Sequence, residues 1–273
     1  MYYIQPHYHG ISRTTEDYER MAHAGVVAVA EPSFWAGFDR HHPQTFLDYF
    51  RQISEFEPTR AAQYGIRHFC WIAVNPKEAE NVSLAREVIA SMPAFLDRPT
   101  VLGIGEIGLN KNSANELKVF REQMELAIRC NQLVLIHTPH LRDKLKGTKL
   151  TLDLLRELRA DPARVWIDHV EEHTIKAVLD AGYWAGMTLY PTTKMSTSRA
   201  VDMLERYGID RLLVNSSADW GPSSPSTLYD CAMEYRRRGH TEQELIDVFH
   251  NNPVRFLRQN PKWDIGLLGL TTV

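Results

Sequence analysis

The stretch Val101-Leu102-Gly103-Ile104-Gly105-Glu106-Ile107-Gly108-Leu109 combines a continuous apolar run, three glycines and a single carboxylate. Because the run does not alternate apolar with polar residues, it reads as a strand covered on both faces, as in a parallel sheet. The glycines let neighbouring backbone approach closely. Glu106 stands at the end of this apolar strand, where a buried carboxylate is tolerable only beside a cation or strong donors.

Similar runs recur on either side, at 2–4, 26–30, 68–74, 133–136, 165–167, 183–187 and 211–215. Amphipathic segments such as 46–56, 116–130 and 174–182 lie between them, and Gly182 falls where a helix C-cap would. Strands alternating with helices indicate parallel βαβ units, either doubly wound or closed into a barrel. No GxGxxG follows the first run, so the dinucleotide-binding version lacks its fingerprint. The expected fold is therefore α/β, a (β/α)8 TIM barrel, as a single domain over 1–273. The segment 241–259 reads as a helix pair closing the barrel, with Thr241 as N-cap and Glu244 completing a capping box.

With 44% hydrophobic and 24% charged residues, the chain has the composition of an ordinary globular protein and not of a disordered one. No apolar run is long enough for a membrane span, and MYYIQPHYHG lacks the pattern of a secretory signal, so a cytoplasmic location is expected. Cys70, Cys130 and Cys231 are odd in number and far apart, which argues for reduced thiols. A net charge of -3 gives no broad basic footprint for non-specific nucleic-acid binding. Histidine is the unusual count, at 12.

Acids and imidazoles gather at the C-terminal ends of the expected strands, the end where barrel active sites are built. The first strand is followed by His7-Tyr8-His9, whose imidazoles, two apart, can address one metal. Glu106 follows strand four, His137 strand five, Asp168-His169 strand six and Asp219-Trp220 strand eight. Singly, each is better explained by a satisfied core histidine or a helix-capping aspartate. Together they make a set that accident rarely assembles. Four imidazoles with two carboxylates suit Zn²⁺ or Mn²⁺ better than Mg²⁺, which prefers oxygen ligands.

GIGEIGLN at 103–110, VLIHTPH at 134–140 and NNPVRFL at 251–257 resemble the TatD-like metal-dependent hydrolases of the amidohydrolase superfamily, and the resemblance spans nearly the whole chain. It implies a barrel with two divalent metals. His7 and His9 would hold one, His137 and His169 the other, with Glu106 bridging. Asp219 would bind the first metal and accept a proton. Two metals about 3.5–4 Å apart can share a water and lower its pKa toward neutrality, giving a bridging hydroxide as nucleophile. Hydrolysis of a small-molecule ester, lactone, amide or phosphoester follows.

The chain departs from the family around these positions. Gln5 replaces the acid of DxHxH, Asn110 an aspartate, and Ser217-Ala218-Asp219 a Glu-Thr-Asp. After His169 come Glu171 and Glu172, two acids expected to repel a polyanion at the mouth. The aromatic loop 31–42 suits an apolar pocket wall, with Trp35 as its candidate substrate contact. Glu31 is a candidate support for the ligands, and His41-His42 read as surface residues. The basic segment 140–149 reads as a solvated loop, with His140 and Arg142 as candidate contacts; Tyr190, Lys194 and Trp220 are others. His173 and His250 are assigned to helices. A small-molecule substrate is favoured. A nuclease or phosphodiesterase, and a non-catalytic barrel binding a metabolite or partner protein, are the alternatives.

Overall fold

A computed structural model describes residues 1–139 and 143–266. Eight parallel strands form one sheet in chain order: β1 Tyr3–Gln5, β2 Val26–Glu31, β3 Arg67–Ile72, β4 Val101–Gly108, β5 Leu133–His137, β6 Val165–Ile167, β7 Trp184–Thr188 and β8 Leu212–Asn215. Helices separate them, giving a (β/α)8 barrel. Apart from the first residue of β3, every strand residue is buried, as continuous apolar runs require. Strand β4 contains Glu106, with a register shift against β5 between Ile104 and Ile107.

The glycines of β4 do what the run implied. A Cβ on Gly103 would lie 2.2 Å from the Leu133 carbonyl oxygen, and one on Gly108, at φ +127, would lie 2.3 Å from that of His137. Close β4–β5 pairing thus brings Glu106 and His137 to the same rim.

The seam between the first and last strands is closed beyond their ends. Tyr8 bridges Ala218, the His9 amide donates to the Ala218 carbonyl at 3.0 Å, and the Ser217 amide donates to that of His7 at 2.9 Å. Gln5, buried, accepts the Ser216 amide through Oε1 at 3.1 Å. The residue that replaces the family acid therefore helps hold this seam.

Three local expectations are corrected. Residues 242–257 form an uninterrupted helical run with a π-helical turn, Asp247–Asn251, in place of a helix pair; the Thr241–Glu244 capping box at its start is present. The basic segment is largely helix, Lys144–Glu157. Lys144 is not solvated: its ammonium pairs with Glu171 at 3.3 Å and donates to the His169 carbonyl. His173 lies on a turn before the helix Ile175–Asp180 instead of within it, while His250 falls in the π-helical turn.

Candidate metal centre

His7 and His9 lie just past β1, where the seam bonds hold them against β8. Their Nε2 atoms are 3.1 Å apart. Glu106 Oε1 is 3.5 Å from His7 Nε2, 3.1 Å from His169 Nε2 and 3.2 Å from His137 Nδ1; the last two nitrogens are 3.0 Å apart. All five side chains are buried. His169 adopts a left-handed backbone, φ +62, uncommon for a residue with a Cβ, as its chain turns off β6.

Partners from other strands fix which nitrogens face inward. His7 Nδ1 is 2.6 Å from Asp168 Oδ2, and an N–H there leaves the Nε2 lone pair facing Glu106. His169 Nδ1 donates likewise to Thr188 Oγ1 at 2.7 Å. Asn215 Nδ2 donates to Asp168 Oδ1 at 2.9 Å, and Asn75 Nδ2 donates to Glu106 Oε2 at 3.1 Å. Lone pairs and a carboxylate crowded at these distances repel one another unless a cation lies among them. Imidazole nitrogen with carboxylate oxygen is a donor set suited to a divalent transition metal, and His7, Glu106 and His169 offer ligand atoms that all lie within 4.8 Å of one another.

Electrostatics agree with this arrangement. Burial, the largest influence on Glu106, pushes its carboxyl up, but His7, His137 and His169 together hold it well below the usual carboxylate range. Burial lowers the imidazoles of His9, His137 and His169, keeping them neutral and able to donate lone pairs.

Asp219 lines the same cavity, of about 140 Å³, together with His9, Glu106, His137 and His169. Its Oδ1 accepts Tyr190 O–H at 3.1 Å and the Gly221 amide at 2.7 Å, which leaves Oδ2 without a hydrogen bond among the described residues. Burial and the Asp219 carboxylate push the Tyr190 phenol up to about 12, so it stays a donor.

Of the candidate substrate contacts, Tyr190 and Lys194 line the cavity. Phe34 also lines it, stacked on the His9 ring at 3.9 Å. Trp220 packs on Phe34 at 4.9 Å and on Trp35 at 5.9 Å, placing both tryptophans at the mouth. His140 and Arg142 lie outside the described residues. Glu31 does not reach the ligands: buried, it accepts the Ile11 amide at 2.9 Å and pairs with His68 at 2.8 Å. His41 and His42 are exposed. The two acids after His169 are both neutralised, Glu171 by Lys144 and Glu172 by both arms of Arg199 at 2.7 Å, so their expected repulsion of a polyanion is removed.

Sequence reading gave no role to Asp168, Asn75, Thr188, Asn215 or Lys77. Asp168, Asn75, Thr188 and Asn215 did carry a signal, a polar residue closing an apolar run, whereas Lys77 carried none.

Residues 7–258 match the family described as TatD related DNase. An uncharacterized metal-dependent hydrolase of Methanocaldococcus jannaschii is 27% identical over 259 residues, 93% of this chain and 99% of that one. The crystal structure of a TatD-like protein from Archaeoglobus fulgidus superposes with a TM-score of 0.77 at 26% identity, covering 94% of this chain and 100% of that one. The phosphotriesterase homology protein of Escherichia coli shares the fold at 17% identity, with a TM-score of 0.65 over 93% of this chain and 98% of its own.

Proposed function

Given that this chain belongs to the TatD family of metal-dependent hydrolases, we propose that it is a dinuclear enzyme acting on a small molecule. The substrate class is an ester, lactone, amide or phosphoester. His7, His9 and Asp219 would hold one ion and His137 and His169 the other, with the Glu106 carboxylate available to both. Zn²⁺ or Mn²⁺ suits this donor set. When bound, such ions supply Lewis acidity and a nucleophilic water at neutral pH. Family membership as a hydrolase removes the non-catalytic barrel from consideration.

The remaining work falls to this chain's own residues. Asp168 and Thr188 orient the His7 and His169 rings. Asn75 holds the second oxygen of Glu106. Asp219, anchored through Oδ1 by Tyr190 and Gly221, presents Oδ2 to take a proton from the nucleophile and return it to the leaving group. Phe34, Trp35 and Trp220 give the mouth an apolar side.

The observation that carries this reading is the convergence of three imidazoles on Glu106, with His9 set against His7, in a cavity shared with Asp219. Elemental analysis of protein purified without chelator should find close to two equivalents of Zn or Mn, reduced in His137→Ala. Asp219→Asn should keep most of the metal while turnover drops roughly 10²–10⁴-fold. A protein that binds no metal even after reconstitution would sink the proposal. A nuclease is the second reading, favoured by the pairing of Glu171 and Glu172. It requires nucleotide release from single-stranded DNA with Mg²⁺ or Mn²⁺, weakening as salt rises.

A further inference from the structure

Cations around the mouth fall into two groups. Arg13, Arg40, Lys144 and Arg199 each face a carboxylate: Asp17 at 2.9 Å, Glu78 at 2.6 Å, Glu171 at 3.3 Å and Glu172 at 2.7 Å. Lys77 and Lys194 do not; among the described residues neither is ion-paired, yet both line the metal cavity. The ammonium of Lys77 lies 4.5 Å from the centre of the Trp35 ring, and that of Lys194 lies 5.1 Å from Tyr190 and 3.4 Å from Ser217 Oγ. Aromatic faces and one long hydroxyl contact satisfy an ammonium only partly and leave N–H donors for a ligand.

Their origins matter as much as their lack of partners. Lys77 follows β3 and Lys194 follows β7. In a ring ordered β1 to β8 these strands stand opposite each other, so the two ammoniums enter the cavity from facing sides. Both sense the charges of Glu106 and Asp219. In the dinuclear reading, on which this inference rests, those carboxylates would hold the metals, and both lysines would be left for the substrate.

We propose that Lys77 and Lys194 form a two-sided clamp that selects a dianionic terminal phosphoryl group, making small phosphate monoesters the substrates. A monoester presents two negative charges and one substituent, matching two facing cations in a cavity of about 140 Å³. A diester carries one charge and a substituent on each side, and a carboxylic ester, lactone or amide carries no charge at the reacting group. The substituent lies outward, against Phe34, Trp35 and Trp220. Water adds to phosphorus as the P–O bond to the alcohol breaks. The proton taken by Asp219 passes to the departing oxygen, giving an alcohol and inorganic phosphate.

The test uses the full chain loaded with Mn²⁺. Calorimetry measures affinity for inorganic phosphate, and steady-state kinetics compare p-nitrophenyl phosphate, bis(p-nitrophenyl) phosphate and p-nitrophenyl acetate. The monoester should be preferred. Lys77→Met and Lys194→Met should each weaken phosphate binding and raise the monoester KM roughly tenfold or more, at unchanged metal content. The Arg variants, which keep the charge but not the shape of the ammonium, should retain more phosphate affinity than the Met variants. Unaltered phosphate affinity in the Lys77→Met/Lys194→Met double variant overturns the clamp, as does benzoate binding as tightly as phosphate. Metal-loaded protein that turns over the diester or acetate but not the monoester also overturns it, while the hydrolase reading stands. Protein that holds no metal and hydrolyses none of the three brings down both.

Discussion

The two ends of this barrel are filled by opposite chemistry. At the N-terminal end, Phe256 packs on Trp184 at 5.3 Å, Trp166 at 6.1 Å and Trp71 at 6.4 Å, while Trp263 packs on Phe69 at 4.6 Å. With Leu102, Leu133, Leu135 and Leu213 they make one apolar cluster. At the other end four imidazoles and a carboxylate lie equally deep, facing one another with lone pairs. Apolar packing is non-directional, so its energy spreads over many weak contacts. The polar end depends on orientation, which Asp168 sets for the His7 ring and Thr188 for that of His169.

Strand β6 joins the two regimes. Trp166 and Asp168 are two apart and share a side of the chain; one fills the plug and the other holds His7. Gly186 on β7 makes room for both. A Cβ there would lie 2.0 Å from Trp166 Nε1 and 2.1 Å from Asp168 Oδ1.

The largest effect that separates the ends should come from Phe256→Ala. Removing the ring at the centre of the plug should cost roughly 3–5 kcal/mol. Urea unfolding measures the loss, and metal content per folded chain should stay at the wild-type level. A variant that loses metal without losing stability would show that the ends are not separable.

Gly186→Ala sharpens the same comparison from the junction, where the added methyl must displace Asp168 or Trp166. Metal affinity should fall about 10–100-fold, as when a partner that orients a ligand is lost, and Asp168→Asn should fall in the same range. Competition with a fluorescent chelator reads both. Wild-type affinity in Gly186→Ala would mean that His7 needs no such support.

The smallest effect is in pH. Burial depresses the pKa of His9, His137 and His169 in the folded chain, so the unfolded chain binds more protons below about pH 6.5. Their contribution to stability is therefore present above that pH and is lost as pH falls toward the folded values. Glu106, also depressed, acts in the same sense at lower pH. Urea midpoints in chelator should fall from pH 7.5 to pH 5. The fall should be shallower in His169→Gln, whereas Phe256→Ala should lower every midpoint without changing the slope.

Sequence alone determined the strand and helix alternation, because burial on both faces demands continuous apolar runs. It also singled out His7, His9, Glu106, His137, His169 and Asp219, because strand ends are where a barrel exposes polar side chains. What it could not supply depends on pairings between strands distant in the chain. Asp168 reaches His7 across 161 residues, and Asn75 reaches Glu106 across 31. Glu171 and Glu172 look repulsive in the sequence and are neutral pairs in the fold, since Lys144 and Arg199 arrive from other helices. Lys77 looks like an ordinary surface lysine, and Lys194 is only one candidate contact among several, until the barrel closes and sets them on facing sides of one cavity. Residue type and period are local properties of the chain, whereas the partner that gives a charge its meaning is chosen only when the eight strands are brought into register.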